Sequence, residues 1–215
     1  MSLIPAEQLK QIFSVEAKFY QAELANEKIL MRREAHIRRN GVFATRADAV
    51  IVMINPSNCE QAGKTEKSLR DAKCVSTKPN PTQYQLMNLM ERQGWNLVKL
   101  VNLSDICEGN MGKFKVIESQ FNNSGVAHSL FQEGNVVERE ALLGSADHLI
   151  FAWGSSTVAK RLAAEFGLFR NGQAESPYEH AIAWVAAENG FPRHPKPATV
   201  ADRLIWLDQM GFLLQ

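Results

Sequence analysis

The chain has 215 residues, 45% of them hydrophobic, which suits one well-filled α/β domain better than two independent cores. A formal net charge of +1 excludes a global basic field, so any nucleic-acid contact needs a local patch. Cys59, Cys74 and Cys107 form no Cys-x-x-Cys pair, which argues against a disulfide framework or a zinc ribbon and for reduced thiols in a cytoplasmic protein. There is no signal peptide, and no apolar run approaches the ~20 residues of a membrane span.

Residues 1–45 read as an N-terminal helical or irregular extension, and residues 46–215 as the α/β domain. Pro5 can open a first helical turn carrying Leu9, Ile12 and Phe13. Residues 17–39 are ambiguous. Leu24, Lys28, Met31 and Ala35 stand at helical spacing, while Phe19-Tyr20 and Ile29-Leu30-Met31 would serve as short edge strands. Helix is the favoured reading. The cations Arg32, Arg33, Arg38 and Arg39, with His36, then crowd its end and read as a solvated C-terminus.

Residues 50–54 are apolar without a break, as in a strand buried on both faces. Asn55-Pro56-Ser57-Asn58 stops it, because Pro56 has no N–H for the ladder. Residues 59–80 form a polar connection carrying Lys64, Lys67, Arg70, Lys73 and Lys78, with a short helix expected over 65–72. Thr82 and Gln85 look like a capping box, and Gly94 closes that helix. Residues 97–103 read as a second strand, 105–135 as a long loop and 136–143 as a helix. Residues 147–153 form a third strand, followed by a helix over 157–166 with Ser156 as its cap. Residues 180–186 fit helix or strand. Residues 199–210 form the last helix, capped by Thr199.

Strands alternating with helices predict a parallel sheet with helices on both faces. Ligands of such sheets bind at the carboxyl ends of the strands. The residues there are Asn55, Pro56 and Ser57; Asn102 and Asp105; Trp153 and Gly154; and Arg193 and His194. Gly63-Lys64-Thr65 approaches a phosphate loop but lacks the small residue five positions earlier. The five histidines are scattered without His-x-x-x-His spacing, so neither a metal nor another cofactor is expected.

The order Asn-Pro-Ser, Val-Asn-Leu, Ala-Trp-Gly, Pro-Arg-His-Pro resembles an uncharacterised bacterial group, domain-of-unknown-function family 1643. More remotely it is similar to the uracil-DNA glycosylase superfamily. There the first motif is Gly-x-Asn-Pro-Gly or Gly-Gln-Asp-Pro, a later strand ends in Trp-Gly, and a His-Pro-Ser-Pro loop follows the last strand. The counterparts here are 53–57, Trp153-Gly154 and His194-Pro195-Lys196-Pro197, with Met53 and Ser57 in place of glycines. The resemblance makes 180–186 a fourth strand. It implies a three-layer α/β/α fold with a four-stranded parallel sheet of order 2-1-3-4.

By that resemblance Asn55 would orient the attacking water and His194 would donate to the leaving base. Pro56, Ser57, Asn102, Asp105, Trp153, Gly154, Arg193 and Tyr84 would complete the pocket. Lys64, Lys67 and Arg70 would contact phosphate. The implied activity is metal-independent N-glycosidic hydrolysis on DNA or a nucleoside. The implied partners are DNA or a nucleotide, with no membrane. A carboxylate stands at the Asn55 position in the best-known branch, which implies that Asn55→Asp is tolerated. The alternatives are a non-catalytic nucleic-acid or nucleotide-binding module, or a small-molecule enzyme of other chemistry.

Overall fold

The computed structural model describes residues 2–58 and 65–215. Helix α1 (Ala6–Ile12) leads into a long hairpin of β1 (Phe13–Leu24) and β2 (Glu27–Arg39). Ala25 and Asn26, both with positive φ, make its two-residue turn. The helical expectation for residues 17–39 is therefore corrected to strand. Phe13, Val15 and Ala17 are buried in alternation, and a bulge at Lys18/Phe19 resets the period. The helical spacing of Leu24, Met31 and Ala35 was coincidental; pairing of β2 with a neighbouring strand overrode local propensity.

Strand β3 (Ala47–Met53) is the buried run. Beyond the Asn-Pro-Ser turn, Glu66 bridges to Tyr20, residues 69–71 turn, and the expected helix over 65–72 does not form. A short edge strand β4 (Cys74–Ser76) follows. Helix α2 (Pro81–Gln93) starts two residues earlier than expected. Asn80 caps it and Gln83 completes the capping box, with Pro81 at the first helical position. Gly94 ends it with φ 69°. Strand β5 (Leu97–Asn102) is followed by helix α3 (Met111–Ser124), which occupies much of the expected loop. Asn110 caps α3 by accepting from two backbone N–H groups. Then come α4 (Val136–Leu143), β6 (Ala146–Phe151) and α5 (Thr157–Glu165), the last capped by Ser156. A small hairpin of β7 (Phe169–Arg170) and β8 (Gln173–Ala174) precedes α6 (Val200–Leu213), capped by Thr199.

The sheet has six strands in the order β4-β1-β2-β5-β3-β6. It is mixed. β4, β1, β2 and β5 pair antiparallel in succession, whereas β5, β3 and β6 run parallel. The expectation of four parallel strands is corrected accordingly. The three parallel strands keep the expected relative order, but residues 180–186 join β6 only through the Ile150–Ile182 bridge.

Alternate residues of the parallel strands feed two cores. Ala49, Ile51, Val98 and Leu100 pack with Leu9 of α1, Leu86 and Met90 of α2, and Trp206 of α6. Val50, Val52, Val101 and Phe151 pack with Phe114 and Phe121 of α3, Leu142 of α4 and Leu162 of α5. The chain crosses from one face to the other between β3 and β6, and the crevice opens there. Among the described residues, no helix is long and apolar enough to cross a membrane.

Candidate functional site

A cavity of about 310 Å³ lies at the carboxyl end of the parallel strands. Asn55, Pro56 and Ser57 enter it from the end of β3, Trp153 from the end of β6, and His194 from the proline-rich loop. Arg32 of β2, Gln83 of α2 and Ser156 of α5 complete the polar lining. Among the described residues, no carboxylate lines it. The volume is at the lower end of small-molecule sites.

Asn55 is oriented by its own hydrogen bonds. Its Nδ2 donates to the carbonyl of Glu108 at 2.5 Å and to that of Ile106 at 3.5 Å. Two carbonyls can receive only the amide NH₂, which leaves Oδ1 as the acceptor for a ligand or water. Asn58 grips the same loop, with Gly109 N–H donating to its Oδ1 at 2.8 Å. A Cβ at Gly109 would stand 2.6 Å from that oxygen, so a larger residue there would displace the Asn58 amide.

His194 is oriented as clearly. Its Nδ1 accepts from the Lys196 N–H at 3.1 Å. In the neutral ring that places the proton on Nε2, a donor. Burial holds the imidazole below its ordinary pKa, so the neutral form prevails near pH 7. Gly154 supports this loop. Its N–H donates to the Pro192 carbonyl at 3.0 Å, its φ is +83°, and an added Cβ would lie 3.3 Å from His194 Cβ. Ser57, at φ 61°, also adopts a left-handed conformation that glycine favours.

The other anticipated residues divide. Gly154 and Arg193 line a neighbouring cavity of about 290 Å³ that shares Ser155 and His194 with the first. Arg193 pairs there with Glu188 and lies over the Trp184 ring. Asn102 and Asp105 are fully buried and reach neither cavity. Burial pushes the Asp105 carboxyl up to about 7, against the attraction of Arg33 at 3.1 Å and the hydrogen bond from Tyr20. Tyr84 lies on α2 away from the lining, where its carbonyl accepts from Asn88. Lys67 and Arg70 are exposed and line neither cavity. Lys64, with the rest of the Gly63-Lys64-Thr65 near-motif before Thr65, lies outside the described residues.

Asn80, Thr82, Gln83 and Ser156 went unanticipated as site residues, and Arg32 reads from the sequence as part of a solvated helix end rather than a phosphate-contacting patch. Asn80 and Gln83 were legible as a cap, read two residues too late at Thr82 and Gln85. Arg32 was not, because its place depends on the hairpin register.

The fold and the cavity define a mixed α/β protein with a polar crevice, free of carboxylates among the described residues, at the switch between β3 and β6. A model of the family described as protein of unknown function (DUF1643) matches residues 36–196, and the chain belongs to that family. No curated protein and no solved structure matches it.

Proposed function

We propose that the β3/β6 crevice binds a nucleobase or nucleotide, and that the protein hydrolyses an N-glycosidic bond. The observation that carries this reading is the pairing of Asn55 and His194 in one cavity, one presenting an acceptor and the other a neutral donor. In such a reaction water adds to the anomeric carbon and the C–N bond breaks, its electron pair leaving with the base. Asn55 Oδ1 would hold the water, whose proton passes to solvent. His194 Nε2–H would stabilise the charge that develops on the base.

Two features support an anionic, nucleotide-like ligand. The first residues of α2 and α3 and the N-cap of α5 line the cavity, and helix N-termini favour negative charge. Arg32 adds a cation to a lining in which no described carboxylate stands. The left-handed backbone at Ser57 fits the uracil-DNA glycosylase-like motif, in which glycine stands at that position.

The test is release of free base or formation of abasic sites. Single-stranded and duplex DNA containing uracil, hypoxanthine or mismatches should be assayed, with nucleotides and nucleosides in parallel. Asn55→Ala and His194→Ala should each lower turnover about a hundredfold while the fold survives. A silent His194→Ala ends the glycosidase reading.

A second reading, a binding module without turnover, is favoured by the lack of a general base among the described lining residues. It requires nucleotide binding in the crevice that Asn55→Ala weakens, with no base released. Exposed Lys67 and Arg70 would then add salt-dependent affinity for a strand.

A further inference from the structure

Away from the crevice, the hairpin and the edge strand place three metal-ligating side chains together. Glu16 of β1 pairs directly with His36 of β2 on one side and with Ser76 of β4 on the other. Cys74 of β4 stands opposite Lys18, two residues along β1 from Glu16 and on the same face. One ligand atom from each of Glu16, His36 and Cys74 lies within 4.8 Å of the other two.

The histidine is held ready. Its Nε2 lies 2.9 Å from the Glu34 carboxylate, and in the tautomer that donates to this closer carboxylate the proton sits on Nε2. Its Nδ1 then carries the lone pair, and it faces Glu16 Oε1 at 3.4 Å. A carboxylate behind a histidine is the usual outer support of a metal-binding imidazole. Without a metal ion, the Arg38 guanidinium stands against two of these groups, its Nη2 3.5 Å from His36 Nδ1, so a metal would have to displace it.

We propose that Glu16, His36 and Cys74 bind a divalent transition-metal ion, zinc by preference, with Glu34 as the supporting residue. A sulfur, a nitrogen and an oxygen ligand match a borderline ion such as zinc and do not suit calcium or magnesium. The ion would fasten the three-residue edge strand β4 to the long hairpin. The site is independent of the crevice, lying along β2 from Arg32, and serves structure. A thiol ligates a metal only as the thiolate, so binding displaces a proton from sulfur. Lys18, Arg38 and Lys99 are the cations around the cluster. Arg38 competes directly, its Nε donating to Glu16 Oε1 at 2.7 Å.

The probe is cobalt(II) titrated into the intact, reduced protein. One equivalent should bind with a near-ultraviolet sulfur-to-cobalt charge-transfer band, and zinc(II) should displace it. Cys74→Ser should abolish the band, and Cys59→Ser and Cys107→Ser should not. His36→Gln should weaken binding more than tenfold, Glu34→Gln about tenfold, and Arg38→Gln should tighten it. Zinc should raise the melting temperature of the wild type and leave that of Cys74→Ser unchanged. No saturable cobalt binding, a band that survives Cys74→Ser, or affinity indifferent to His36→Gln would overturn the proposal.

Discussion

Two polar regions flank the parallel strands, and their residue types mislead. Under α3, Ser104, His128, Asn122, Glu118 and Arg161 form a continuous chain. His128 bonds Ser104 at 3.0 Å and Asn122 at 3.1 Å, and Glu118 links Asn122 to Arg161. Beside it Asp105 holds Tyr20 and Arg33. By composition this looks like a nucleophile, base and acid. Yet Ser104, His128 and Asp105 are fully buried and line neither cavity of the crevice, and only the outer end of the chain, Glu118, Asn122 and Arg161, meets the surface. The crevice has plainer residues, an amide and a proline-flanked histidine, but a ligand can enter it. Access distinguishes a site from a polar core, and a sealed network of this kind specifies packing.

The largest expected effect tests the sealed side. Asp105→Ala leaves the buried Arg33 guanidinium without its main counter-charge, at a cost of about 3–5 kcal/mol. Urea unfolding should show it. A loss under 1 kcal/mol would mean that Glu138, 3.6 Å from Arg33, compensates fully and that the cluster is not the structural anchor described.

Next comes Asn55→Asp. The superfamily resemblance implies tolerance, but the geometry reverses that expectation. A carboxylate cannot donate to the Ile106 and Glu108 carbonyls and would be repelled by them. The substitution should destabilise by about 1–3 kcal/mol and loosen residues 106–109, read as faster amide exchange there. Unchanged exchange would free Asn55 from its positioning role.

Ser57→Gly is the smaller test of the open side. Relief of the left-handed serine should stabilise by about 1 kcal/mol without harming ligand binding. A destabilised variant would show that the hydroxyl has a structural task.

The pH profile is the finest discriminator. His128 and His194 both titrate below their ordinary value in the folded state because they are buried. The unfolded chain thus binds more protons, and their share of stability is lost as pH falls below about 6.5. Asp105 has the opposite sign. With its carboxyl raised to about 7, the folded state binds the extra proton, and its share is lost as pH rises from about 4 to 7. Asp105→Asn should remove the second slope, while His194→Gln should reduce the first. Stability profiles of Asp105→Asn and His194→Gln that both run parallel to that of the wild type from pH 4 to 7 would contradict these assignments.

The sequence by itself determined the strands and helices whose cause is local. The apolar run ending at Pro56, the α5 and α6 caps at Ser156 and Thr199, and Gly94 at the end of α2 are all short-range chemistry. It also placed Asn55, Ser57, Trp153 and His194 together, since each follows an apolar segment at the same sheet edge. Tertiary structure alone decided the rest. Residues 17–39 have helix-compatible spacing and become strand by pairing with each other as a hairpin and with β4 and β5 on either side, thus bringing Arg32 to the crevice and Glu16, His36 and Cys74 together. Asn102 and Asp105 share the strand-end position of Asn55 but are covered from above, and burial is a property of what packs over a residue, not of the residue's place in the chain.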